Sequence, residues 1–68
     1  MSSVARVTEI SATSDTSFED AIKQGIARAN KTIRNIRRAW VKEMHVRVDN
    51  GAVMEYQVNM MVTFVLDD

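Results

Sequence analysis

The 68-residue chain contains no cysteine, no proline and only two glycines, and its aromatics are one tryptophan, one tyrosine and two phenylalanines. Without cysteine, the disulfides and thiolate metal sites that usually staple scaffolds of this size are excluded. No charge of one sign is in excess: nine Lys and Arg offset nine Asp and Glu. No bulk field therefore favours nucleic acid, a membrane surface or an acidic partner. No apolar run approaches the roughly 20 residues that span a bilayer, and residues 1–6 lack the apolar segment of a secretory signal. A soluble, cytoplasmic protein is expected. There is no repeat, low-complexity tract or linker, and 46% apolar content argues for a fully ordered chain. Residues 1–68 are therefore read as a single domain. A domain this small buries only about 60% of the surface its unfolded form exposes, so it is marginal alone.

Val4 to Ser11 is rich in β-branched residues and reads as a first strand, followed by a turn-like stretch from Ser11 to Ser17. Thr16 with Glu19 three residues later fits a capping box, with Ser17 as the competing cap. Phe18, Ala21, Ile22, Gly25, Ile26, Ala29, Ile33 and Ile36 then recur at helical spacing, which predicts a helix of about 18 residues with one buried stripe. Gly25 on that stripe costs about 1 kcal/mol against alanine, which suggests close approach by the sheet. The basic residues from Lys31 to Arg38 suit the C-terminal end of the helix dipole.

From Ala39 to Val48, and again from Ala52 to Leu66, the apolar pattern has period two, which predicts a long hairpin. A two-residue Asn50-Gly51 turn would set Met54, Tyr56 and Val58 beside Arg47, His45 and Glu43, mixing core with charge. A three-residue Asp49-Asn50-Gly51 loop with Gly51 left-handed instead aligns Trp40, Met44, Val46 and Val48 with Met60, Tyr56, Met54 and Ala52. That register is expected. It pairs Val41 with Asn59, Glu43 with Gln57 and His45 with Glu55 on the opposite face.

Met54, Tyr56, Val58, Met60, Val62, Phe64 and Leu66 form seven consecutive apolar positions on one face of the last strand. Such a strand is about 50 Å long, whereas an 18-residue helix is only about 27 Å long. One helix leaves much of that face bare, so the chain is expected to pack against copies of itself.

Few residues suggest chemistry. His45 is the only histidine and no serine stands in a nucleophile elbow, so no nucleophile–base arrangement is visible and enzyme activity is not expected. Asp49-Asn50-Gly51 lacks the alternating carboxylates and closing Glu of a calcium loop. Asp67 and Asp68, repeated around a symmetry axis, offer a divalent cation some carboxylates, but solvated charge is the simpler reading. Arg34, Arg37, Arg38 and Lys42 form a basic cluster that either serves the helix end or binds a phosphate. Trp40 either stacks on a planar ligand or caps the helix as core. Gln57, on the polar face of an apolar strand, carries an amide able to read the edge of a heterocycle.

Ser17-Phe18-Glu19-Asp20-Ala21-Ile22, Ala27-Arg28-Ala29, Lys31-Thr32-Ile33-Arg34-Asn35-Ile36-Arg37, Tyr56-Gln57-Val58 and Phe64-Val65-Leu66-Asp67-Asp68 together resemble the dodecin family over nearly the entire chain. The resemblance implies an α+β fold: a β-α-β-β subunit whose three-stranded antiparallel sheet partly wraps one helix, assembling from trimers as a hollow dodecamer. It also implies a non-enzymatic protein that binds riboflavin, FMN or related flavins in pairs at two-fold positions. In that family the flavin stacks on a tryptophan, is hydrogen-bonded by a glutamine, and is stored or buffered. Gln57 matches the family glutamine. The family tryptophan would fall at position 38, but this sequence reads Arg38-Ala39-Trp40 there. Gln57, Trp40 and Arg38 are therefore the expected flavin-contacting residues, with Trp40 or Arg38 as the stacking partner. Some dodecin-like proteins lack flavin, including a calcium-associated kind, and the Arg-Ala-Trp-Val stretch resembles that branch. A flavin-free shell with a structural or calcium-binding role is the alternative.

Overall fold

A computed structural model describes residues 2–67. The order is β1 (Ala5–Ser14), α1 (Phe18–Ala29), β2 (Ile36–Asp49) and β3 (Ala52–Val65). The strands form one antiparallel sheet in the order β1-β3-β2, so β3 is central and both β1 and β2 are edges. This is the expected β-α-β-β arrangement. Asp68, half of the proposed carboxylate pair, lies outside the described residues.

β1 runs through Ser14, three residues beyond the strand read from sequence, because Ala12, Thr13 and Ser14 pair with Val58, Gln57 and Tyr56. Ser14 then organises the turn. It is buried, its Oγ accepts from Thr16 N at 2.9 Å, and it donates to Asp20 Oδ2 at 2.6 Å. Of the two candidate caps, Ser17 is the one used: its Oγ accepts from Asp20 N at 2.9 Å, satisfying one orphan donor of the first turn.

The helix is shorter than its apolar spacing suggested, with 12 residues and an end at Ala29. Beyond it, Lys31 N and Thr32 N bond to carbonyls three residues back, a tightening that closes helices. Asn35 then takes φ 64°, a left-handed conformation that asparagine tolerates, and turns the chain into β2. Its carbonyl accepts from Val65 N and its Nδ2 donates to Val65 O, which ties the turn to the end of β3. Ile33 therefore lies in the connection and Ile36 opens β2. Only Arg28 stands in the last helical turn, so the later basic residues do not complement the helix dipole.

The hairpin register also differs from expectation. Asp49 pairs with Ala52, leaving a two-residue turn with Asn50 at φ 51° and Gly51 at φ 79°, the pattern of a type I′ turn. A bulge at Met54 then shifts the pairing, so that Arg47 opposes Glu55, His45 opposes Gln57 and Met44 opposes Val58. The bulge resolves the conflict that counted against the short turn: it returns Met44 and Val46 to the face of Tyr56 and Val58. Two further bulges, at Lys42 and Arg37 of β2, reset the alternation again. Trp40 consequently opposes Met61 rather than Met60, and stands on the face away from the helix.

The core lies between α1 and the facing side of β1 and β3. Ala21, Val58, Met60 and Val62 are fully buried, surrounded by Ile10, Ala12, Phe18, Ile22, Ile26 and Val41. Phe18 meets Tyr56 edge-on with ring centroids 5.1 Å apart. Gly25 permits the close approach its position suggested: a Cβ there would stand 2.7 Å from Met60 Cε and 2.9 Å from Ala12 Cβ. Gly25→Val is therefore expected to destabilise the fold by about 2–3 kcal/mol in urea unfolding, since overpacking outweighs the gain in helix propensity. An unchanged midpoint would contradict this packing.

Candidate functional site

The sheet face turned away from the helix carries the residues singled out from sequence. Strand pairing lays them in rows across β2, β3 and β1: Arg38, Thr63 and Val7; Trp40, Met61 and Glu9; Glu43, Asn59 and Ser11; His45, Gln57 and Thr13. Arg38, Trp40 and Gln57 thus share one face. They are not neighbours, because the Trp40 and Gln57 rows are four residues apart on β3, about 13 Å. Trp40 is half exposed at 51% and belongs neither to the core nor to a helix cap.

Gln57 is held by its neighbours. Its Nε2 donates to Ser11 Oγ at 3.2 Å and to Asn59 Oδ1 at 3.1 Å. Asn59 Nδ2 donates in turn to Glu43 Oε1 at 3.1 Å, and His45 Nε2 lies 3.2 Å from the same oxygen. Both Gln57 amide hydrogens are therefore engaged within the chain. Among the described residues no group donates to its Oε1, so the amide offers a ligand an acceptor rather than a bidentate edge. His45, expected to face Glu55, instead contacts Glu43, and Arg47 takes the place opposite Glu55 at 3.9 Å. The displaced register is the cause.

Sequence reasoning did not single out Ser11, Glu43 or Asn59. The available signal was Asn59, a second amide two residues from Gln57 and so on its face of the strand.

The basic cluster does not converge. Arg34 pairs with Asp67 at 3.4 Å, Lys42 with Glu9 at 3.3 Å, and Arg37 donates to its neighbour's carbonyl. Asp67 also accepts from Asn35 Nδ2 at 2.8 Å, so its oxygens are already engaged within the chain. Among the described residues no group of three or more His, Cys, Asp or Glu side chains is arranged to hold a metal ion, and no helix is long and apolar enough to cross a membrane.

A small β-α-β-β protein with a one-sided core and a polar, amide-bearing outer sheet face is the class these features define. The chain belongs to the dodecin family, whose model matches residues 4–67. It is 37% identical to the dodecin of Thermus thermophilus over 68 residues, covering 100% of this chain and 99% of that one. It is also 36% identical to the calcium dodecin of Mycobacterium tuberculosis over 62 residues, covering 91% and 87%. Among solved structures, dodecin from Streptomyces davaonensis superposes with a TM-score of 0.93 at 35% identity, each chain covered completely. The M. tuberculosis calcium dodecin, described as having a novel calcium-binding site, gives 0.82 at 34% identity, with 96% and 93% covered.

The Glu43 carboxyl lies below its ordinary pKa, held there first by the hydrogen bond from His45 and then by that from Asn59. A depressed carboxylate contributes stability that is present above its unfolded pKa and lost as pH falls through its folded pKa. Glu43→Gln is therefore expected to melt below the parent protein near about pH 7, with the gap closing as pH falls through and below the ordinary carboxylate range. A gap independent of pH in thermal melts would contradict the assignment.

Proposed function

We propose that this protein is a non-enzymatic homododecamer of single 1–68 subunits that binds flavin, riboflavin or FMN, and stores or buffers it in the cytoplasm. The observation that carries the reading is Gln57. Among the described residues nothing donates to its carbonyl oxygen, and it stands on the sheet face that also bears Trp40 and Arg38. Gln57 is the hydrogen-bonding residue, and Trp40 or Arg38 the stacking partner. A guanidinium lies flat on an aromatic ring much as an indole does. The separation of about 13 Å between the Trp40 and Gln57 rows exceeds what one ring system spans face-on. The two contacts to a given ring therefore come from different copies of the chain, which joins ligand binding to assembly. The apolar surface left bare on a single chain supports self-association of this kind. Balanced charge leaves no basis for nucleic-acid or membrane partners.

A second reading, a flavin-free shell with a structural or calcium-binding role, is favoured by Arg38 at the expected tryptophan position and by the similarity to the calcium dodecin. The two readings separate experimentally. Quenching of riboflavin and FMN fluorescence by micromolar protein, weakened about tenfold or more by Gln57→Ala, is the expected result for loss of one ligand hydrogen bond in a desolvated site. Unquenched fluorescence with both flavins would remove the flavin reading. A change in assembly mass on calcium chelation, followed by native mass spectrometry, would then favour the second.

A further inference from the structure

The direction of the Gln57 amide is set two side chains away. A carboxylate accepts hydrogen bonds and donates none, so the Asn59 group facing Glu43 must be its NH2. That leaves Asn59 Oδ1 facing Gln57, and an oxygen acceptor must meet an N–H, so Gln57 presents Nε2 to Asn59 and Oε1 outward. The Ser11 hydroxyl does not impose this order, since it donates or accepts equally well. Lys42, the one cation beside Glu43 in sequence, reaches across the sheet to Glu9, and the contacts to Glu43 come from His45 and Asn59.

We propose that Glu43, through Asn59, is a specificity-determining positioning pair: it fixes Gln57 as a pure hydrogen-bond acceptor, so the site selects planar ligands whose edge donates an N–H. The imide edge of an isoalloxazine ring has such a donor, and blocking it with a methyl group removes the complement to Oε1. This inference rests on Gln57 being the ligand contact, and its test separates the two.

Riboflavin and its N3-methyl analogue are titrated against the parent protein, Glu43→Gln and Glu43→Lys. Glu43 is exposed, so neither change empties a core position. The parent is expected to prefer riboflavin by about tenfold or more, the equivalent of one hydrogen bond and its steric complement. In Glu43→Gln the new amide donates or accepts, so the relay loses its direction and the preference should fall below about threefold. In Glu43→Lys the new ammonium only donates, which turns both amides over and should abolish or reverse the preference. Equal preference in all three proteins would overturn the relay. If the parent binds neither compound, the flavin reading fails and the relay is decided by NMR: the Gln57 amide protons should show NOEs to the Ser11 and Asn59 side chains that disappear in Glu43→Lys. NOEs unchanged by that substitution would overturn it.

Discussion

The structure depends on a mismatch of lengths. The 12-residue helix is about 18 Å long, whereas the 14-residue strands of the hairpin run about 46 Å and the molecule extends 53 Å along its longest axis. α1 covers the proximal part of the sheet, where Val58, Met60 and Val62 are fully buried. To its side, on β2, Met44 and Val46 in the rows of Val58 and Tyr56 are 53 and 43% exposed, and beyond its reach the hairpin carries Val48 and Val53 on the same face at 58 and 49% exposure. β1 stops opposite Tyr56, so the end of the hairpin that carries Val48 and Val53 is also only two-stranded. A two-stranded ribbon with a bare apolar face is not stable in water by itself. The proposed assembly follows from that deficit more directly than from any single contact.

The bare face is present, although its details differ from expectation. The apolar pattern suggested a longer helix and seven equivalent side chains on the last strand. The helix proves shorter, which enlarges the deficit, but three of those side chains are fully covered by the chain itself. The unsatisfied surface lies instead along β2, at Met44 and Val46, and at the turn end of the hairpin, at Val48 and Val53, with Leu66 of the original seven also exposed.

Helical spacing, the close approach at Gly25 and the left-handed Gly51 were legible, because each is a local rule with one physical cause, whereas the capping-box pattern pointed first to Thr16 and offered Ser17 only as its competitor. The helix end was not, since Ile33 and Ile36 continue the spacing by coincidence while Asn35 supplies the stop. Bulges were the main obstacle. Alternation reports which residues share a face only within an unbroken segment, and each bulge resets it. The parity of Met44 and Val46 came out right because the shorter turn and the Met54 bulge compensate. Trp40 changed face because the Lys42 bulge has no partner change to offset it. That one residue decides whether the tryptophan belongs to the core or shares a face with Gln57. The polar relay behind Gln57 was equally hidden, since Ser11 is 46 residues away in sequence and meets it only through the β1–β3 pairing.

Closure of the bare apolar face by other copies of the chain is the central claim, and sedimentation equilibrium at micromolar concentration tests it most directly. A discrete species near twelve times the 7.7 kDa subunit mass is the predicted result, replaced by smaller species when Met44 and Val46 are both changed to threonine. A folded, non-associating species at 7.7 kDa would contradict it.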